Sequence, residues 1–165
     1  MYHWAAYPYP WGMPPQYPWV AGNRNGEPQR RRGYDRGGQP YVVNLNRVAR
    51  QNPNFRTALW TGRHFQVTVM SIPVGEDIGL EVHPNTDQFI RIEEGQGLVQ
   101  MGDRRDRLDF EQMAYPGHAV MVPAGKWHNV VNRGNRPLKV SVIYAPPEHP
   151  FGTVHPTKAS AEGRW

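Results

Sequence analysis

The sequence of 165 residues contains no cysteine. Disulfide bonds are therefore excluded, and so are metal sites built on thiolates. The sequence also has no uninterrupted apolar run near the roughly 20 residues that a membrane-spanning helix needs, so we expect no integral membrane protein. Its N-terminus lacks the basic and then apolar layout of a secretory signal. From these absences we expect a cytoplasmic protein.

Aliphatic residues are almost absent from the first 40 positions, where only Val20 and a few alanines occur. Tyr and Trp are interleaved with Pro in the first half of this segment, and Gly and Arg dominate the second half. Because proline removes backbone donors and no helix or strand period is present, residues 1–40 are predicted to be a disordered tail. Unburied aromatic rings beside arginines favour adhesive contacts, and the composition resembles that of spore-coat and other surface-layer proteins. We therefore expect the tail to mediate assembly, with a spore coat or surface layer as the alternative location.

The formal net charge of +5 is concentrated in that tail, where five arginines stand against Glu27 and Asp35. The remaining charge of +2 is spread over residues 41–165. A nearly balanced domain lacks the basic surface expected of a dedicated nucleic-acid-binding protein. We therefore expect no dedicated nucleic-acid binding.

From residue 41 the chain reads as short strands separated by turns rich in Gly, Pro and Asn. Residues 64–71 alternate between two faces, as a strand does, and residues 44–54 favour one short helix that ends before Pro53. Many short strands with one helix at most are typical of an all-β sandwich or barrel. We predict this domain over residues 41–156 and a C-terminal tail over residues 157–165.

Four side chains in the domain form a candidate set of metal ligands. Glu81 and His83 are two residues apart in a strand-like segment, so both point to the same face. Gln88 opens the next strand-like run, and His128 follows in a later one. A carboxylate, two imidazoles and an amide oxygen together suit a divalent metal ion.

The spacing around the first three of these residues resembles the first conserved motif of the cupin superfamily. That motif runs glycine, five residues, histidine, one residue, histidine, three or four residues, glutamate, six residues and glycine. From Gly75 to Gly95 this chain keeps every interval. It departs at two ligand positions, with Glu81 in place of the first histidine and Gln88 in place of the glutamate.

The second cupin motif is intact from Gly117 to Asn132 and contains His128. The resemblance covers roughly residues 41–147 and identifies a small single-domain cupin. It implies a double-stranded β-helix, that is, a jelly-roll barrel with the site at its wider mouth. Such barrels often pair through their outer sheet, so the resemblance also implies a homodimer.

The resemblance further implies one divalent metal ion, with Zn²⁺, Mn²⁺, Fe²⁺, Ni²⁺ and Co²⁺ all compatible with these ligands. Glu81 needs a cation or hydrogen-bond donors if its carboxylate faces the inside of a narrow barrel. Gln88 either ligates through its amide oxygen or hydrogen-bonds to a bound water. Asp87 is the rival at that position, but strand alternation turns it away if Gln88 points inward.

Two aromatic residues are candidates to wall the pocket, namely Trp127 and Tyr144. Trp127 precedes His128, and its alternative role is to pack beneath the neighbouring turn. No catalytic residue is identified beyond metal-bound water, whose pKa a metal ion brings to about 7.

Three functional classes remain open from the sequence. The first is an enzyme that isomerises a small carbohydrate or other polar metabolite, because the ligand types resemble the glutamine, histidine, glutamate and histidine of cupin phosphomannose isomerases. The order of glutamine and glutamate is reversed here. The second is a non-haem metal-dependent oxygenase such as a dioxygenase, which uses two histidines and one carboxylate. The third is a non-catalytic structural or binding cupin, associated with a spore coat.

Overall fold

The structure, a computed structural model, describes residues 34–162 of the chain. These residues form nine β-strands in two sheets and two short helices. The elements are α1 (Leu45–Gln51), β1 (Arg56–Thr61), β2 (Gln66–Ile72), β3 (Asp87–Glu94), β4 (Gly97–Gly102), β5 (Phe110–Ala114), β6 (Ala119–Val122), β7 (Trp127–Asn132), β8 (Leu138–Ala145), β9 (Val154–His155) and α2 (Lys158–Glu162). The predicted all-β class is confirmed. Most of the predicted disordered tail lies outside the described residues.

The strands form a six-stranded sheet in the order β6-β3-β8-β2-β1-β9 and a three-stranded sheet in the order β5-β4-β7. Every pairing in both sheets is antiparallel. The chain crosses from one sheet to the other between β3 and β4, between β5 and β6, between β6 and β7, and between β7 and β8. This alternation is the topology of a jelly-roll barrel.

The core lies between the two sheets, because each strand turns alternate residues inward. Ile90 and Ile92 of β3, Val140 and Val142 of β8, and Val130 of β7 belong to one buried apolar cluster. These residues lie two positions apart along their strands, as the period of a strand requires. The apolar cluster therefore fills the middle of the barrel.

One end of the barrel interior is polar instead. In the large sheet, Gln66, Tyr144, Gln88 and Val122 lie side by side across four strands, and all four are buried. In the small sheet, His128 is the first inward residue of β7 and is 1% exposed. The polar residues predicted as a site are therefore at strand ends, next to the loops between the sheets.

The α1 helix packs on the outer face of the large sheet. Its Ala49 forms a second small apolar cluster with Leu59 and Val69. The side chain of Asn44 caps the helix, because its Oδ1 accepts a hydrogen bond from the Arg47 backbone at 2.9 Å. The single helix predicted before Pro53 is therefore present.

Residues 34–40, which the sequence assigned to the tail, pack on β1. Asp35 is 7% exposed and its carboxylate accepts four hydrogen bonds. The donors are the Gly37 backbone (2.8 Å), the Thr61 backbone (3.0 Å), the Thr61 hydroxyl (2.6 Å) and the Gly152 backbone (2.9 Å). Asp35 thus joins the start of the domain to β1 and to the C-terminal segment, and the folded part begins before residue 41.

The C-terminal segment is also part of the fold. After β8 the chain returns to pair β9 with β1 and then forms α2. Lys158, at the start of α2, contacts Asp77 with 2.6 Å between Nζ and Oδ1. The predicted tail at 157–165 therefore begins with a helix. Neither helix within residues 34–162 is long and apolar enough to span a membrane.

The contacts of Asp35 predict different results for two truncations. A chain that begins at residue 34 keeps all four hydrogen bonds, so we expect its melting temperature to match that of the full chain. A chain that begins at residue 39 loses them and exposes their donors, which costs roughly 1.5–3 kcal/mol. We expect its melting temperature to fall by roughly 5–10 °C in a thermal unfolding scan. Asp35→Asn in the full chain should also lower the melting temperature. Equal melting temperatures for the full chain, the chain that begins at residue 39 and Asp35→Asn would contradict this role of Asp35.

Candidate metal centre

The backbone brings the two motif segments together. Glu81 and His128 face each other in an isolated β-bridge, with both N–H to carbonyl distances at 3.0 Å. The Gly125 backbone donates to the His83 carbonyl at 2.8 Å. The strand predicted around Glu81 and His83 is thus reduced to a single bridge. The side chains of both residues nevertheless reach the same point as His128.

Glu81, His83 and His128 form one compact cluster. Glu81 Oε1 lies 3.2 Å from His83 Nε2 and 3.4 Å from His128 Nε2. The three potential ligand atoms all lie within 4.8 Å of one another. Both histidines are buried, whereas the Glu81 side chain is 24% exposed. Three of the four predicted ligands therefore meet.

Four buried polar atoms at this end of the barrel have no hydrogen-bond partner. They are Glu81 Oε1, His83 Nε2, Gln88 Oε1 and His128 Nε2. Buried polar atoms are nearly always hydrogen-bonded, because an unpaired one loses its water without compensation. Two imidazole nitrogens, a carboxylate oxygen and an amide oxygen are atoms that a divalent ion binds. The residues present therefore fit a metal ion.

Each histidine is oriented by a partner on its other ring nitrogen. His128 Nδ1 lies 2.9 Å from the Lys126 carbonyl, which can only accept, so Nδ1 carries the proton and Nε2 keeps its lone pair. His83 Nδ1 lies 3.1 Å from the Glu148 carboxylate. A carboxylate or carbonyl behind a histidine is the arrangement that fixes the tautomer of metal ligands.

The charges around the cluster favour a cation. Burial opposes ionisation of Glu81, but the imidazoles of His128 and His83 beside its carboxylate hold its pKa well below the usual range. Burial also disfavours protonated His83, yet the carboxylates of Glu148 and Glu81 raise its pKa to about 9. The carboxylates of Glu81 and Glu148 therefore favour a positive charge at the cluster.

The other sequence candidates occupy different positions. Asp87 is exposed, and its Oδ1 accepts a hydrogen bond from the Ala124 backbone at 2.8 Å, so it holds a turn. Trp127 lies on the face of β7 opposite to His128, and the Arg105 guanidinium sits 5.8 Å from its ring centroid. This placement does not support Trp127 as a wall of the pocket. Tyr144 is fully buried and meets the His83 ring edge-on at 5.7 Å between centroids.

Three residues near the cluster were not identified from the sequence. Glu148 and His149 lie in the Pro-rich segment after β8, where no motif or period marks them. Arg56 opens β1 in a stretch that reads as apolar, yet it is 4% exposed. The one available signal was a charged residue at the start of a buried strand.

The contact of Glu148 with His83 gives a direct test. Glu148→Ala removes the group that orients the His83 ring without removing a ligand. We expect metal affinity to fall by roughly 10–100-fold, as is usual when such partners are lost. Competition with a chelator measures this change. The control is Glu111→Gln, at an exposed glutamate of β5, and unchanged affinity in Glu148→Ala would show that Glu148 does not orient the ligand.

The cupin domain family model matches residues 68–144 of this chain. The uncharacterized protein YrkC of Bacillus subtilis is 64% identical over 127 residues, which are 77% of this chain and 68% of YrkC. The uncharacterized protein L612 of Acanthamoeba polyphaga mimivirus is 36% identical over 126 residues, which are 76% of this chain and 77% of that protein.

Solved structures agree with the fold described above. The crystal structure of BH2720 from Bacillus halodurans has a TM-score of 0.78 and 60% identity, and covers 79% of this chain and 98% of that chain. A protein with a double-stranded β-helix domain from Klebsiella pneumoniae has a TM-score of 0.55 and 17% identity, and covers 71% of this chain and 98% of that chain. The second likeness concerns the fold alone.

Proposed function

This chain belongs to the cupin family, and on that basis we propose that it binds one divalent metal ion and isomerises a small polar metabolite or carbohydrate. The ligands would be Glu81, His83 and His128, with Gln88 as the fourth. The observation that carries the proposal is the set of four buried atoms, one on each residue, that have no hydrogen-bond partner. A bound divalent ion supplies a Lewis acid that polarises a carbonyl or hydroxyl oxygen.

The residues around the ion supply charge and orientation. Glu81 brings one negative charge to the cluster, and Glu148 keeps His83 Nε2 turned toward it. The Lys126 carbonyl does the same for His128. Because these partners already hold both imidazole rings in place, the coordinating atoms of the protein need little rearrangement to bind an ion.

Isomerisation through an enol also needs a group that moves a proton between neighbouring carbon atoms. His149 is an imidazole close to the cluster, since its ring lies 4.9 Å from that of Tyr144, which in turn contacts His83. Burial and then the Arg56 guanidinium lower the pKa of His149 to about 3. At neutral pH its ring is therefore uncharged, and its buried Nε2 has no hydrogen-bond partner among the described residues, which leaves this nitrogen as a free acceptor. We propose His149 as the proton carrier.

Hydrogen exchange tests the reaction class without knowledge of the product. The metal-loaded protein is incubated in D₂O with a panel of small aldoses, ketoses, hydroxy acids and oxo acids. Proton NMR is then used to follow the hydrogen next to the carbonyl or hydroxyl carbon. We expect metal-dependent exchange in at least one compound, and we expect His149→Gln to abolish it while metal content is retained. Exchange that persists in metal-free protein would contradict the proposal.

An oxygenase is the second candidate, because the three ligand atoms that lie within 4.8 Å of one another are those of two histidines and one carboxylate. This set is the one that non-haem iron oxygenases use. Oxygen consumption by the iron-loaded protein with the same compounds tests it. If metal-saturated protein causes neither hydrogen exchange nor oxygen uptake, a structural or binding role becomes the better interpretation.

A further inference from the structure

A second group of buried polar atoms lies in the barrel interior beside the metal centre. Arg56 Nε, Thr68 Oγ1 and Tyr144 Oη are buried and have no hydrogen-bond partner. Their strands, β1, β2 and β8, are neighbours in the large sheet. Arg56 pairs with Met70 and Thr68 with Val142, both residues of the core, so all three side chains share the inner face.

This group lies next to the candidate ligands. The Tyr144 ring is 5.7 Å from that of His83, measured between centroids. Burial raises the pKa of Tyr144 to about 12, and the nearby Arg56 guanidinium opposes that rise. Arg56 is buried and shares the inner face of the large sheet with Tyr144, so both residues face the barrel interior in which the His83 ring lies.

Arg56 carries a buried charge that no carboxylate of the described residues contacts directly. It is 4% exposed, and within residues 34–162 no carboxylate forms an ion pair with it. One side of the guanidinium is covered by the Phe55 ring, 5.5 Å from Cζ to the ring centroid. A buried charge without an ion-pair partner is strongly destabilising, so the stability of the fold does not account for this arginine.

The sum of charges indicates what would compensate Arg56. A divalent ion and Arg56 carry three positive charges, whereas Glu81 and Glu148 at the centre carry two negative charges. One positive charge is left over, which a monoanion balances and a phosphate dianion exceeds. A neutral sugar offers Arg56 hydrogen-bond acceptors but no balancing charge.

We propose that Arg56, Thr68 and Tyr144 bind the carboxylate of a small hydroxy or oxo acid. The guanidinium fork matches the two oxygens of a carboxylate, and the two hydroxyls add further donors. The oxygen on the neighbouring carbon would then face Glu81, His83 and His128, so this inference rests on the metal centre of the proposed function. It narrows the ligand from any polar metabolite to a small organic acid.

The test uses lactate and its uncharged counterpart propane-1,2-diol as probes. Each is titrated into the full-length zinc-loaded protein by calorimetry, and the zinc content is measured on the same samples. We expect lactate to bind at least 10-fold more tightly than the diol, and inorganic phosphate to bind no more tightly than lactate. Arg56→Met should keep its zinc and lose the preference for lactate. Zinc-loaded wild-type protein that binds both probes equally would overturn the inference, whereas absent zinc would instead refute the metal centre.

A stability measurement separates a binding role from a structural one. Because the buried charge has no partner, Arg56→Met should melt at the same temperature as the wild type or higher. If Arg56 served the fold, the variant would melt lower. Arg107→Met, at an arginine whose side chain is 73% exposed, is the matched control. It should change neither the melting temperature nor the preference for lactate. If Arg56→Met does not fold, the lactate affinities of Tyr144→Phe and Thr68→Val are measured instead. An affinity equal to that of the wild type in both variants would overturn the inference.

Discussion

Replacing His128 with alanine is expected to leave the purified protein without its divalent ion. The His128 side chain is 1% exposed, and its Nδ1 contact with the Lys126 carbonyl directs Nε2 into the cluster. The variant removes one of the two imidazole ligands and leaves a buried space that holds no replacement. Because loss of an orienting partner alone costs about 10–100-fold in affinity, loss of the ligand itself should cost more than about 100-fold.

Elemental analysis of the purified variant measures this directly. The melting temperature should also become insensitive to added metal, since a ligand present at about 100 times its dissociation constant stabilises the folded state by roughly 2.7 kcal/mol. His64→Ala, at an exposed histidine outside the cluster, is the matched control and should retain the ion. Full metal occupancy in His128→Ala would mean that the ion binds elsewhere.

The fold could be predicted from the sequence because its signals are local. Strand alternation and closely spaced turns indicate a β-barrel, and the glycines of the two motifs mark where the backbone must turn. Gly125, for example, adopts a φ of 80°, and Gly95 a φ of 84° with the Leu138 backbone 3.1 Å from where a Cβ would lie. Side chains other than glycine rarely tolerate such positions. The spacing of the glycines in the motifs therefore follows from the positions of the turns at the barrel mouth.

The residues behind the ligands could not be predicted in the same way. Glu148 reaches His83 from a segment 65 positions later in the chain, and that segment has no period and no strand pairing at this point. Asp35 lies in a Gly- and Arg-rich stretch whose composition indicates disorder, yet its one carboxylate organises three segments. Contacts of this kind depend on how distant loops pack, which the periods and spacings of a sequence do not encode.

Trp127 illustrates a different limit. Its position beside His128 in the sequence suggested a wall of the pocket, but neighbouring residues of a strand point to opposite faces. The alternation along β7 turns Trp127 away from the face that carries His128. Arg56 shows the converse, because a charged residue in an apolar stretch becomes meaningful only once the register of β1 against β2 is known.

Glu81→Gln is expected to weaken metal binding far more than Gln88→Ala does. Glu81 is the carboxylate that contacts both imidazoles, and the substitution keeps its shape while removing its charge. Two unit charges 4 Å apart interact by roughly 4 kcal/mol at an effective dielectric constant of 20, so the loss should be on the order of 100-fold or more. Gln88 contributes only a neutral amide oxygen, which a water molecule can replace. Chelator competition on both variants measures the difference.

The combined variant Glu81→His with Gln88→Glu tests whether the charge or its position matters. It moves the carboxylate from the β-bridge to the first inward residue of β3, and it produces the ligand set that the cupin motif usually carries. If one negative charge and two or more imidazoles are what the ion requires, this variant should bind metal within about tenfold of the wild type, since tenfold corresponds to only about 1.4 kcal/mol. Equal losses in Glu81→Gln and Gln88→Ala would contradict the argument, because the ion would then depend on the number of ligands and not on the carboxylate.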